Sequence, residues 1–455
     1  MERNTHEAEC LRIASSRELL NRFVSFYSNA SYTYDDKYVL SGSIRWDRSN
    51  LWGTNSKYQN KPLWSVGGSW NIYKEKFFQA DFVDMLKLRA SYGIGGNIGR
   101  NTAPYLIASY YDSSLVDGMA GSVNTPPNKD IRWEKTTTVN VGVDFALFRH
   151  RLSGTIEYYN KYSVDLLAAI NGSPTQGFGY TTLMTNNGKM VNRGVEITLS
   201  GEIIRQKDFS WNASLLYAFN RNKVKHISVQ PSLWDSRISM PTSYPMVGKP
   251  LYGIYAYKWA GLNENGDPQV YDAENNVTSG PARDYHALVY CGTTVPIHNA
   301  SLTNVLRYKG FEFSAMLILD AGHKLRSSNI PSINMSNGRI TSTAKGIVDR
   351  WTQPGDVTDV PRLLFSNDTE NFNTHRTELY RYSDLFVYDA SNIRLSNISL
   401  AYRVPAHWCK KISLSGARLQ FNVENVATFA FDSKANYDLG GKVKPNYVWG
   451  LYLNF

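Results

Sequence analysis

The stretch FVSFYSNASYTYDDKYVLSGSIRW, residues 23–46, decides the fold. In its first half Phe23, Ser25, Tyr27 and Asn29 alternate with Val24, Phe26, Ser28 and Ala30, so successive side chains point to opposite faces of an extended chain. DD (35 and 36) turns the chain, and KYVLSGSIRW (37–46) continues with the same period. Two such ribbons on a two-residue turn read as an antiparallel hairpin.

The same period recurs to the end of the chain. It is found in WSVGGSWNIY (64–73), MLKLRASYGI (85–94), TTTVNVGVDFAL (136–147), RLSGTIEYYNKYSVDLL (151–167), MVNRGVEITLSGEI (190–203) and FSWNASLLYAFNRNKV (209–224). After an interruption follow ASLTNVLRYK (300–309), FEFSAMLILDA (311–321), NIRLSNISLAYRV (392–404), ARLQFNVENVATF (417–429) and NYVWGLYLNF (446–455). Roughly thirteen strands are expected.

The connections alternate as regularly as the side chains do. Tight ones are DD (35 and 36), FRH (148–150), RQKD (205–208) and the turn at Gly310, with 74–84 and 405–416 as longer members. Between them lie 47–63, 95–135, 168–189, 225–299, 322–391 and 430–445, all long. A soluble sandwich has no reason to gather its long loops at one end. A transmembrane barrel does so by rule, with short periplasmic turns and long extracellular loops. Closure follows from the solvent, because hydrocarbon leaves no partner for the unpaired edge of an open sheet.

Composition agrees. The chain is 13% aromatic, with 30 Tyr and 11 Trp, residues suited to a membrane-water interface. Tyr32, Tyr34, Trp46, Trp64, Trp70, Tyr73, Tyr92, Tyr158, Tyr159, Tyr402, Trp449 and Tyr452 stand near strand ends, where an interfacial girdle would place them. Mean hydropathy is negative and no apolar run reaches the roughly 18 residues of a membrane helix, which excludes a helical membrane protein. The net charge of +10 is spread along the chain, without the basic runs of a nucleic-acid binder. Cys10, Cys291 and Cys409 are too few and too scattered for a disulfide framework or a CxxC metal site.

Catalytic signatures are missing: the eight His form no HxxxH pair, and there is no GxSxG elbow or phosphate-binding glycine loop. His298, His323 and His375 read as loop histidines, not metal ligands. The acidic NENGDPQVYDAEN (263–275) lacks the D-x-D-x-D-G spacing of a calcium loop and reads as a turn region. Neither an enzyme nor a bound metal or cofactor is expected. Aromatic residues in long loops, Trp52, Tyr105, Tyr110, Tyr111, Trp234 and Tyr244, are the candidates for contact with a sugar or a partner protein.

On these residues the chain resembles the SusC/RagA family of TonB-linked outer-membrane proteins, over about residues 20–455. The resemblance is carried by ASYTYDDKYVLSGSIRWDRS (30–49), SYGIGGNIG (91–99), DIRWEKTTTVNVGVDFALFRHRLSGTIEYYNKYSVDLL (130–167) and NNGKMVNRGVEITL (186–199). It continues through VGKPLYGIYAYKWAGLNENGDP (247–268), DRWTQPGDVTDVPRL (349–363), SDLFVYDASNIRLSNISLAYRVP (383–405) and NYDLGG (436–441). It implies a barrel of about 22 strands around an N-terminal plug, in the bacterial outer membrane. It also implies import of oligosaccharides or peptides, a SusD-like surface lipoprotein as lid, and energy supplied through TonB. The closing Phe455 resembles the signal read by the barrel-assembly machinery.

The expected organisation is an unmatched segment, 1–19, followed by the C-terminal part of such a barrel, 20–455, with signal peptide and plug absent. The start MERNTHEAECLRIASSRELLNR shows no export signal. With Phe455 on the periplasmic side, an odd strand count also calls for at least one further strand upstream. Two other readings fit the alternation, a secreted carbohydrate-binding or adhesive β protein and a passive porin. Membrane fractionation separates the first from the barrel; only the resemblance separates the second.

Overall fold

The computed structural model describes residues 22–51, 53–59, 61–99, 104–114, 118–171, 175, 182–229, 236–280, 284–331, 333–336, 339–363, 375–440 and 444–455. Thirteen strands form one antiparallel sheet in chain order. They are β1 (Phe23–Tyr34), β2 (Tyr38–Ser49), β3 (Leu63–Asn71), β4 (Val83–Asn97), β5 (Glu134–Leu147), β6 (Leu152–Asn171) and β7 (Thr182–Arg205). Beyond these come β8 (Phe209–His226), β9 (His298–Tyr308), β10 (Phe311–Ala321), β11 (Asn392–Arg403), β12 (Gly416–Ala430) and β13 (Asn446–Asn454).

Every strand pairs with its chain neighbour, so successive connections alternate ends: the tight turns lie at one end with 72–82 and 404–415, and the two longest connections, 227–297 and 322–391, lie at the other. The tight turns explain themselves locally. Asp35 and Asp36 both take positive φ (50° and 52°), the left-handed pair that lets a two-residue turn match the strand twist. At the next hairpin but one Phe148, Arg149 and His150 do the same.

One loop is shorter than its sequence suggests. Residues 168–189 read as a loop, yet Leu166–Asn171 pair with Thr182–Gly188 and extend β6 and β7. The ladder slips after Ser163, and Asp165 has φ 57°. That bulge shifts the parity of the side chains, which breaks the period the eye follows.

The two faces of the sheet differ chemically. In register on one face lie Phe26 and Trp46, Leu40 and Gly68, Tyr92 and Val139, Val143 and Ile156, Ile156 and Ile197, Leu199 and Leu215, Leu302 and Leu317, Phe421 and Trp449. On the other lie Ser43 and Ser65, Arg89 and Gly142, Asp144 and Thr155, Ser200 and Ser214, Asn299 and Asp320. The apolar face is largely uncovered: Phe26, Leu40, Ile44, Val66, Tyr92, Ile156, Leu400, Trp449 and Leu451 are all exposed. A soluble sheet would bury such a face; here lipid is the missing layer.

Aromatic rings mark the edge of that layer at the turn end. Tyr34, Tyr38, Trp70 and Phe77 follow one another at centroid spacings of 6.5, 6.3 and 6.2 Å. Glu75 receives the Tyr38 hydroxyl and the Trp70 indole N–H, so the ring tips are held at the polar boundary. Two residues assigned to the girdle from sequence do not belong to it. Tyr159 lies opposite Gly194 on the polar face and is 8% exposed, and Tyr452 pairs with Arg418 on that same face. Parity, not nearness to a strand end, decides which aromatic meets lipid.

β1 and β13 are the two edges, and each has one neighbour. Both run from the loop end to the turn end, so pairing them with each other would be parallel. Antiparallel closure therefore needs an odd number of further strands between them.

The buried apolar cluster sits outside the sheet, which buries only scattered residues such as Ala146, Val224 and Ala401. Tyr255, Tyr257, Val270, Ala287, Leu288 and Leu379 pack together in the two longest connections, 227–297 and 322–391. These connections carry their own small sheets: Gly253–Tyr257 pairs with Leu288–Thr293, and Lys324–Arg326 with Val387–Asp389. The loops form a water-facing lobe and need a core, whereas the wall does not.

Candidate functional site

The polar face of the sheet is organised by charge ladders that cross the strands. Arg89 on β4 donates to Asp144 on β5 through Nε to Oδ2 (2.7 Å) and Nη2 to Oδ1 (2.9 Å), and also to Glu157 on β6. The Thr155 hydroxyl donates to Asp144 Oδ1 at 3.0 Å. A guanidinium fork matches a carboxylate in this two-point way and fixes both groups against the wall. A cavity of about 310 Å³ opens beside it, lined by Ser41, Ser69, Arg89, Ser91, Asn140 and Glu157 among others.

Further round the sheet Arg394 binds Asp320 (2.7 Å), which also accepts from Asn299 (2.7 Å). Glu312 bridges Arg307 (2.7 Å) and Arg418 (3.1 Å). Such a surface can hold water and pass polar solutes, with opposed charges paired so that neither sign dominates it.

Above the wall, the lobe is locked by one carboxylate. Asp267 accepts from Arg376 Nε (2.9 Å) and pairs with Arg362 (3.3 Å). Beside it Gly266, at φ 72°, lies under the Trp351 indole, and a Cβ there would come within 2.4 Å of the ring. The Trp259 indole N–H donates to Asp359 at 2.9 Å. NENGDP and DRWTQPGDVTDVPRL, distant in sequence, are thus two halves of one clasp. A second link joins three loops: Arg326 Nη2 donates to the Tyr255 carbonyl (2.6 Å), and Ser327 and Ser328 donate to Asp438 (2.7 Å each).

The candidate aromatics are distributed unevenly. Tyr105, Tyr110 and Tyr111 are 64%, 72% and 53% exposed. The last two stand side by side on a hairpin, Ile107–Ser113 with Gly118–Thr125, on opposite faces of it. Tyr244 is buried, with its carbonyl receiving Arg237, so its ring packs the lobe instead of meeting solvent. Trp52 and Trp234 lie outside the described residues. Phe455 is almost fully exposed, with its carbonyl accepting from the Ser415 hydroxyl (3.2 Å).

The three histidines are likewise separate, and His298 opens β9 instead of lying in a loop. His298 stacks on Tyr217 and accepts or donates to its hydroxyl (2.8 Å), and His375 lies 3.4 Å from Glu378. His323 is buried. In the acidic stretch Asn263 receives the Asn265 and Asp267 amides and Asp272 those of Glu274 and Asn276, so these side chains cap turns. The charge ladders and the clasp were not singled out from sequence. Parity would have found the first, since Arg89, Asp144 and Glu157 all fall on the polar side of strands already recognised; nothing local announces the second.

A lipid-facing belt around a hydrated wall, with all large loops at one end, defines a transmembrane β-barrel of the outer-membrane kind. Residues 14–426 match the family described as TonB dependent receptor-like, beta-barrel, and the chain belongs to that family. It is a protein of the bacterial outer membrane, and its family is one of receptors and transporters. It is similar to TonB-dependent receptor P3 of Formosa agariphila, 27% identical over 94% of this chain and 43% of that protein. It is also similar to TonB-dependent receptor SusC of Bacteroides thetaiotaomicron, 25% identical over 92% of this chain and 42% of that one. The chain thus spans less than half the length of these curated relatives. Among solved structures, the RagAB peptide importer in its open-open state shares the fold, with TM-score 0.76 and 24% identity over 96% of this chain and 47% of the other.

Proposed function

We propose that residues 20–455 supply thirteen staves and the extracellular lobe of an energised importer, the remaining strands and the plug lying elsewhere in the receptor. The observation that carries this is the two-faced sheet, apolar toward lipid and laddered with paired charges toward the interior. A wall of this kind gives passage to bulky polar solutes, oligosaccharides or peptides, and catalyses no reaction. The work is done by position: loops capture, the inner face hydrates and guides, and TonB engages the plug to drive release. The alternatives fit less well, since an adhesin would not expose an apolar belt and a passive pore would not belong to a receptor family.

The extracellular loops, the lobe among them, are the surface for a SusD-like lipoprotein, with the exposed Tyr105, Tyr110 and Tyr111 as contact residues and Trp52 and Trp234 as further candidates. Phe455 serves barrel assembly. The test is growth of a strain lacking the gene on single glycans and peptides. Loss on one class, and abolition of uptake by a protonophore, are expected. Uptake that persists after the proton gradient collapses would overturn the energised reading.

A further inference from the structure

On β8 the outward parity reads Leu215, Tyr217, Phe219 and then Arg221, Lys223, Lys225 toward the loop end. On β7 Ile197 and Val195 give way at the same height to Arg193, which pairs with Arg221. On β8 apolar and aromatic residues thus stop and cations begin within one step, while on β7 Arg193 is followed on the same face by the buried Val191, opposite Lys223. These four cations and Lys249 line a cavity of about 510 Å³ between the tops of β7 and β8 and the segments around Lys249 and Tyr290. No carboxylate lines it, and among the described residues none of the five is ion-paired. Arg193 is held by Asn160 (2.9 Å), and the Lys249 ammonium lies 4.8 Å from the Tyr290 ring centroid. Elsewhere the wall neutralises its arginines, as at Arg89, Arg394 and Arg418.

We propose that this patch binds the phosphorylated headgroup of an outer-leaflet glycolipid. The outward parity turns it away from the solute path, and its continuity with the belt puts it at headgroup height. From Arg221 to Lys225 the strand rises about 13 Å, enough to address more than one phosphate. Unpaired basic side chains at a membrane surface attract anionic lipid, each contributing about fivefold to binding. The inference rests on membrane placement and not on import, so a failed lipid measurement and a failed uptake measurement are distinguishable.

The test takes the complete receptor that carries this chain, extracted in zwitterionic detergent, and reads binding by native mass spectrometry with three probes: bisphosphorylated lipid A, the same lipid dephosphorylated, and inorganic phosphate. The phosphorylated lipid binds at least tenfold more tightly than the dephosphorylated one. The triple variant Arg221→Gln, Lys223→Gln, Lys225→Gln weakens it about a hundredfold, while Lys207→Gln with Lys309→Gln at the turn end leaves it unchanged. Circular dichroism confirms equal strand content. Equal affinity for the two lipids, an unaltered triple variant, or full displacement by inorganic phosphate would each overturn the proposal, the last by showing a small-anion site.

Discussion

Asp267 and Arg376, 109 residues apart in the chain, are joined at 2.9 Å with both side chains nearly buried. The pair ties the two longest loops together. Breaking it strands a guanidinium in a site that water hardly reaches. Asp267→Ala is expected to destabilise the lobe by about 3 kcal/mol without altering the sheet. Limited proteolysis should show new cleavage within 322–391 while strand content stays constant; unchanged cleavage would show that the clasp holds by other contacts.

Gly266 is expected to tolerate no side chain. A Cβ at φ 72° is strained and would also strike the Trp351 ring. Gly266→Ala should cost about 2 kcal/mol, and pairing it with Trp351→Ala should recover only the steric part. Hydrogen exchange at Trp351 and Arg362, whose amides bond Val360 and Gly266, reports the loss.

The face assignment is tested by neighbours. Leu199 points to lipid and Thr198 to the interior. Leu199→Arg is expected to cost about 2–4 kcal/mol in lipid, and Thr198→Arg far less. Urea unfolding in vesicles measures both, and equal costs would defeat the assignment.

Two loop groups bracket the pH range of greatest stability. Burial pushes the Cys291 thiol up to about 11, with Asp384 adding to the rise and Arg326 and Lys324 opposing it. The folded chain therefore keeps its proton where the unfolded chain loses it, and this stability is present below about 9 and lost as pH rises toward 11. Burial lowers the His323 pKa, against the pull of Asp320 and Asp389. Here the unfolded chain takes the proton first, so stability falls as pH drops below 6.5. Alkylation of Cys291 should accelerate only in strong base, and thermal unfolding in detergent should show both flanks. A thiol that reacts fully at neutral pH would contradict its burial.

Removing Arg89 leaves Asp144 and Glu157 facing each other across β5 and β6. Arg89→Met is expected to destabilise the wall by about 1–3 kcal/mol, and Arg89→Lys to restore part of it, since an ammonium cannot form the fork. Urea midpoints in detergent rank the three; a lysine variant equal to wild type would show that charge alone matters.

The strands were legible because a stave repeats every two residues, and Phe23 to Ala30 announce it without help from elsewhere. The resemblance named the family but placed no side chain. The bulge at Asp165 hid part of β6 and β7, and strand-end position alone misassigned Tyr159 and Tyr452. Tyr244 looked like the other loop aromatics, yet it is buried whereas Tyr105, Tyr110 and Tyr111 are exposed.

What the sequence by itself determined is the wall: its period, its turn end and loop end, and its two chemistries, all written in contacts between chain neighbours. Tertiary structure alone decided the lobe, the clasp of Asp267 with Arg362 and Arg376, and the cluster of cations above Phe219. The reason is physical: antiparallel pairing of successive strands is set by local period and turn. A loop core forms between segments far apart in the chain, whose meeting leaves no periodic trace.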